Sequence, residues 1–271
     1  LKTINMGIDA GSSLVKLAYF EGNRFHFKKY PYYNIEELSN WLNALHPNIV
    51  IGLTGGRSER IKQLVNYKIN TFNEFDSLEK GLESVTDLNP DKKKSIIVNV
   101  GTGTSIFMYD SSNLKRVGGT GLGGGTLMGL AKLLTNEENY YSITEASKKG
   151  NRAFIDLFVR DLYENDSKPL NGDLTASNFG KLDGVQNHNK EDILAALTRM
   201  IAENIALLAN QVGLSKGHED YIYIGSTISG NSRLKQDLQE ITAFFGGSAH
   251  FHDQGEYIGA LGALRLLNED L

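Results

Sequence analysis

The first residues able to do chemistry stand at the head of the chain, Asp9-Ala10-Gly11-Ser12-Ser13, with Lys16 just beyond. An aspartate at a strand end, beside the open N–H groups of a glycine turn and near hydroxyls and an ammonium group, can hold a metal–triphosphate. The same pattern also makes an ordinary hairpin whose aspartate bonds its own turn. Gly101-Thr102-Gly103-Thr104 is a second turn of this kind about 90 residues later, and alone it reads as a simple β-turn. The richest run is Gly118-Gly119-Thr120-Gly121-Leu122-Gly123-Gly124-Gly125. Its Gly119-x-Gly121-x-x-Gly124 spacing formally meets the dinucleotide fingerprint, with Glu137 or Glu138 near the required distance. That reading is rejected, because the fingerprint belongs inside a parallel βαβ unit and the following strand is missing. The run is instead expected to line nucleotide and phosphates at the N-terminus of the next helix, where N–H groups and the dipole favour anions. A close helix–helix approach is the plainer use of such glycines. No Gly-x-x-x-x-Gly-Lys-Ser/Thr is present, which excludes a P-loop NTPase.

Charged residues supply the rest. Glu74-Phe75-Asp76 stands at a helix start, where carboxylates serve as caps or, in a site, as a general base for a substrate hydroxyl. Lys115-Arg116 precedes the glycine run; such a cation is either a solvated surface group or one that neutralises a transferring phosphoryl group. Gly225-Ser226 ends a strand and offers a small residue for close approach to adenine or ribose, or a plain turn. His250 and His252 share a strand face but have no third ligand spaced nearby.

The elements that position these groups follow from periodicity. Strands are expected at Ile4–Asp9, Leu14–Phe20 and Asn23–Tyr30 as a meander, and at Asn48–Leu53. Helical spacing covers Glu36–His46, Arg57–Asn66 and Glu74–Val85. Leu88–Lys94, charged and carrying Pro90, is the expected boundary between domains at 1–92 and 93–271. The second half opens alike, with strands at Ser95–Val100, Ser105–Asp110 and Leu114–Val117, then helices at Thr126–Leu134, Ile143–Lys149 and Arg152–Glu164. Asn165–Asn189 is polar and loop-rich; Lys190–Val212 is a long amphipathic helix; Tyr221–Gly225 is a strand; Asn231–Phe245 and Tyr257–Leu267 are helices. Two strand–glycine-turn–strand units, each opening a half, suggest a duplication.

Composition limits the chemistry. The 271 residues suffice for one large domain or two ordinary ones, and the absence of cysteine removes thiolate nucleophiles, zinc ribbons and iron–sulfur ligation. A net charge of −4 argues against nucleic acid as a partner, no apolar run approaches a membrane span, and a cytoplasmic setting is expected. Glycine is in excess, 29 against about 19 at average usage. Nine of these fall between Gly101 and Gly129, as expected for backbone held close to phosphate.

Taken together, Gly7-Ile8-Asp9-Ala10-Gly11, Leu53-Thr54-Gly55-Gly56, Asn73-Glu74-Phe75-Asp76, Asn99–Ser105 and Arg116-Val117-Gly118-Gly119-Thr120-Gly121 resemble the type II pantothenate kinases. Gly172–Gly180, Tyr223-Ile224-Gly225-Ser226 and Gly259–Leu264 continue a likeness that runs nearly the whole chain. The family's first loop usually reads Asp-Ala-Gly-Gly-Thr, and here Ser12-Ser13 ends it. The resemblance implies an α/β, duplicated actin-like ATPase (ribonuclease H-like) fold with two domains around a nucleotide cleft. It implies that ATP phosphorylates the 4′-hydroxyl of pantothenate, the first step to coenzyme A. By position, Asp9, Ala10, Gly11, Ser12, Ser13, Leu14, Val15 and Lys16 would form the first phosphate loop, with magnesium at Asp9. Thr102, Gly124, Gly125, Thr126, Leu127, Met128, Tyr140 (adjoined by Tyr141) and Ser226 would contact ATP. Glu74 would be the general base, and Arg116 would bind pantothenate and steady the transition state. A homodimer through Lys190–Val212 is implied as well, making Gly172–Gly180 part of a site or interface. The competing expectations are another kinase of this fold, acting on an N-acetylhexosamine, and a non-enzymatic ATP-binding module.

Overall fold

A computed structural model of the chain describes residues 3–45, 48–83, 94–110, 113–163, 171–182 and 188–269. Side-chain alternation sets the first sheet. Along β1 (Ile4–Ala10), Met6, Ile8 and Ala10 enter a core on one face, and Asn5, Gly7 and Asp9 belong to the other. β2 (Leu14–Glu21) and β3 (Arg24–Pro31) continue as an antiparallel meander that sets Lys16 opposite Asp9. After α1 (Ile35–Asn43), β4 (Ile49–Thr54) runs parallel to β1, with Gly52 beside Gly7 and Thr54 beside Asp9. α2 (Ser58–Leu64), β5 (Lys68–Thr71) and α3 (Glu74–Glu83) complete this stretch. β5 escapes the hydrophobic pattern because its four residues carry one apolar side chain at a half-exposed edge. Leu38, Leu42 and Ile61 of α1 and α2 close the core over Ile8, Leu17, Ile51 and Leu53.

The same plan recurs with β6 (Lys94–Val100), β7 (Thr104–Asp110), β8 (Asn113–Thr120), α4 (Gly124–Thr135) and α5 (Tyr140–Lys149). The helix expected at Arg152–Glu164 does not form: a 3-10 turn at Arg152–Phe154 leads to β9 (Leu157–Phe158) and the single turn α6 (Val159–Leu162). The cause is Asp156, fully buried between the Phe179 N–H at 3.0 Å and Arg152 at 3.2 Å, next to β9 pairing with β10 (Thr175–Ser177). The long α7 (Lys190–Lys216), β11 (Asp220–Ile224), α8 (Ser232–Phe244), β12 (Ser248–Phe251) and α9 (Ile258–Glu269) follow. Residues 88–93 of the expected boundary and parts of Asn165–Asn189 lie outside the described residues.

The strand orders are β3-β2-β1-β4-β5 and, read from the matching edge, β8-β7-β6-β11-β12, so one topology is used twice. Contacts divide the chain into a first unit, Leu1–Ser95 with Phe107–Arg116 and His252–Leu271, and a second, Ile96–Ile106 with Val117–Phe251. Within the first unit α9 covers the sheet face left open by α1 and α2, and α3 packs on α9. Gly7 and Gly52 beneath α9, and Gly81 and Gly262 between α3 and α9, allow this. At each, a Cβ would collide with a backbone carbonyl, of Ala260, Ala263, Ile258 and Ser77 respectively.

Candidate active site

In the first unit, Asp9 ends β1 at the carboxyl end of the parallel pair, where open α/β sheets present their ligand sites. Its Oδ2 lies 3.5 Å from Lys16 Nζ, and both side chains are largely shielded. The Gly11 N–H donates to the Leu14 carbonyl at 3.1 Å, closing a turn that exposes Ser12 and Ser13. Ala10 and Val15 are buried in the core, so these members of the expected phosphate loop offer backbone only. Gly259, in the first turn of α9, sits so near Asp9 that a Cβ there would be 3.0 Å from Oδ2.

Glu74 is the first residue of α3, but it is not the cap. That role falls to Asn73, whose Oδ1 accepts the Phe75 N–H at 2.7 Å and whose carbonyl accepts the Ser77 N–H at 3.0 Å. The Glu74 carboxylate is therefore released from the helix end. Crowding by surrounding protein raises its pKa, the Asp9 carboxylate raises it further, and Lys16 pulls it back. The shift ties Glu74 electrostatically to the Asp9–Lys16 pair. Five residues along α3, Glu79 accepts the Leu114 N–H at 3.0 Å, fastening the start of β8 to the helix that carries Glu74. Arg116 follows on β8, exposed and without an ion pair among the described residues.

The second unit holds the glycine turns. The Gly101 N–H bonds the Gly103 carbonyl at 2.9 Å, and the loop before α4 docks onto this turn. The Gly124 and Gly125 N–H groups donate to the carbonyls of Gly101 and Thr102 at 2.8 and 2.9 Å, and Thr104 Oγ1 donates to Leu122 at 2.7 Å. The first amides of α4 thus join the two loops. Gly118–Thr120 belong to β8, so the loop itself is only residues 121–123. Thr102 is exposed, Thr126 and Met128 are half-buried, and Leu127 points into the core. Thr227 Oγ1 donates to Gly101 at 2.7 Å, and Tyr140 OH donates to the Thr227 carbonyl at 2.6 Å. Tyr140 is thereby brought beside Ser226, whereas Tyr141 is 72% exposed. The Gly172–Gly180 stretch is pinned to α7: Thr175 and Asn178 donate to Glu203 at 2.6 and 3.2 Å. It borders a cavity of about 400 Å³ with Arg199, Leu207 and Phe244.

Sequence reasoning gave no role to Thr54, Glu79 or Gly259. Thr54 stood inside a quoted motif, and the only signal for Gly259 was the small-residue spacing Gly259-Ala260-x-Gly262-Ala263.

Two sheets of one strand order, each with a glycine turn between its first two strands, define the actin-like ATPase fold. The activator of the 2-hydroxyisocaproyl-CoA dehydratase from Clostridium difficile, solved with bound ADPNP, superposes with TM-score 0.61 at 14% identity over 99% of this chain and 98% of its own. A ROK family glucokinase from Streptomyces griseus, in complex with glucose and AMPPNP, gives 0.58 at 12% over 97% and 98%. The Fumble family model matches residues 21–266. The type II pantothenate kinase of Oceanobacillus iheyensis is 38% identical over 261 residues, 96% of this chain and 98% of that one. That of Staphylococcus saprophyticus is 35% identical over 269 residues, 97% and 100%. The chain belongs to the Fumble family, that of the type II pantothenate kinases.

Proposed function

We propose that the chain transfers the terminal phosphoryl group of ATP to the 4′-hydroxyl of pantothenate, giving 4′-phosphopantothenate, the first step of coenzyme A biosynthesis. The observation that carries this reading is Glu74: a carboxylate freed from capping, made more basic by the crowding of neighbouring protein and by Asp9, in a chain whose full-length relatives are pantothenate kinases. In this reading Glu74 accepts the proton of the 4′-hydroxyl as its oxygen bonds the phosphorus and the ADP oxygen leaves. Arg116, exposed and without an ion pair among the described residues, binds pantothenate and neutralises charge on the transferring group. Lys16 and the turn at Gly11–Ser13 hold phosphate oxygens. Thr102, Gly124–Met128, Tyr140 and Ser226 take the nucleotide, the glycines by close backbone approach, since two of their N–H groups are already bonded.

The donor set at Asp9, one hard carboxylate with neighbouring hydroxyls, suits Mg²⁺, which keeps several waters and takes few protein ligands. Asp9 would hold it, directly or through water, and the ion would supply charge neutralisation on the phosphates. We assign the chain to the cytoplasm, where ATP is made; among the described residues no helix is long and apolar enough to cross a membrane. We further read α7 as the contact of a homodimer, supported by Leu207 and Leu214, 45% and 59% exposed on that helix.

An ADP-release assay with pantothenate, N-acetylglucosamine or no acceptor tests the reading. Release is expected with pantothenate alone. Release with the sugar overturns the substrate, and equal release in all three arms overturns the kinase.

A further inference from the structure

Leu53-Thr54-Gly55-Gly56 is a motif to which neither the fold nor the proposed chemistry gives Thr54 a task. Thr54 is the last residue of β4 and is 1% exposed. The rest of the strand, Ile49, Val50, Ile51 and Leu53 around Gly52, is apolar, and a valine would fill the same space. Yet the Thr54 hydroxyl oxygen is buried and has no hydrogen-bond partner among the described residues. A buried hydroxyl loses its water on folding and normally regains a partner within the protein or as an ordered water. Among the described residues none supplies that partner.

Register says where that partner lies. β1 and β4 are parallel with Asp9 beside Thr54 and Gly7 beside Gly52, and registered neighbours in a parallel pair share a face. Gly7 and Gly52 both abut α9, so Asp9 and Thr54 belong to this same face, at the carboxyl ends of their strands. Lys16, opposite Asp9 across the antiparallel pair, shares the face too. From β5, on the other side of β4, the chain passes through residues 72 and 73 to Glu74. The orphan hydroxyl therefore stands on the strand between the phosphate-loop carboxylate and the segment that delivers the general base.

We propose that Thr54 Oγ1 holds a water that Asp9 shares in the hydration shell of the divalent cation, making Thr54 a positioning residue of the metal–nucleotide site. The inference rests on the kinase reading above. A hard cation bound through one carboxylate leaves most of its shell as water, and those waters need oriented acceptors. Thr54 supplies a rigid one, since its β-branched side chain is fixed by strand packing.

The test uses Mn²⁺ with saturating ADP, the free ion read by electron paramagnetic resonance, and the thermal midpoint of the ligand-free chain. Thr54→Val should leave the ligand-free Tm unchanged or higher, because it removes a hydroxyl without a partner. It should weaken Mn²⁺ binding in the presence of ADP about tenfold or more, the usual effect of losing an outer-shell partner. Thr54→Ser should bind Mn²⁺ within about twofold of the parent, a span of ~0.4 kcal/mol. Unchanged Mn²⁺ affinity in Thr54→Val overturns the inference while leaving the kinase reading standing. So does a lowered ligand-free Tm, which would give the hydroxyl a partner in the empty chain, or a serine variant as weak as the valine. Failure of the parent chain to bind Mn²⁺ with ADP overturns both.

Discussion

Glu74 is placed where its chemistry opposes its stability. Its pKa is raised first by partial desolvation from neighbouring protein and second by Asp9, so the folded chain holds the proton more tightly than the unfolded chain does. Folding therefore loses stability as pH climbs from the ordinary glutamate range through the raised value. Glu74→Gln removes that penalty along with the proposed base. It is expected to raise Tm at pH 7, to keep ATP affinity, and to lower kcat at least ~10²-fold; a variant with near-normal turnover, or one that melts earlier, would contradict the assignment. The acid limb of kcat/KM for pantothenate should lie above the ordinary glutamate range, because the base must be ionised. Lys16→Met, which removes the cation that pulls the Glu74 pKa back down, should push that limb higher still, a shift readable even in residual activity. Arg116→Ala should raise pantothenate KM and lower kcat together; a change confined to ATP affinity would remove it from the acceptor site. The residue types were legible in the sequence, but their states were not. Glu74 is free for the proposed base role because Asn73 does the capping, and a one-dimensional pattern of Asn-Glu-Phe-Asp leaves that choice open.

At the scale of elements, the glycines divide into two uses that composition cannot separate. Those that open α4 join two turns, while Gly7, Gly52, Gly81 and Gly262 let α9 approach a sheet and a helix at once. Gly262→Ala should cost about 1–3 kcal/mol or more through overpacking against Ser77. Gly129→Ala, in α4 with open space around it, should stabilise by about 0.5–1 kcal/mol, since only helix propensity changes. Chemical denaturation of the pair reads the contrast directly. The fastening of β8 to α3 makes a separate prediction. Glu79→Ala should raise pantothenate KM about tenfold, the worth of a ~1.5 kcal/mol charge-assisted hydrogen bond, with ATP KM unaltered, and Glu79→Gln should largely preserve it. Most strands and helices were legible because their apolar periods are regular. Arg152–Glu164 was misread because buried Asp156 recruits partners from Phe179, 23 residues away, a tie no local period reveals.

Across the whole molecule, the repeat of one strand order was foreshadowed by the two glycine turns, but the route of the chain was not. Periodicity marks α9 as a helix and is silent on which sheet it covers. That helix returns to the first sheet and buries Ala260, Ala263, Leu264 and Leu267 there. A chain ending at Phe251 should lower the first unit's Tm by on the order of 10 °C or more. Hydrogen exchange should show β1 and β4 deprotected while β6 and β11 stay slow. Equal protection in both sheets would show that α9 is dispensable. The same return has a meaning in time. The meander, β4 and α3 leave the ribosome early, but the helix wedged between them is translated roughly ten to forty seconds later at ordinary elongation rates. Throughout that interval the glycine-lined face of the nascent sheet is uncovered, so synthesis of this chain carries a built-in window in which a holding chaperone has an apolar groove to grasp.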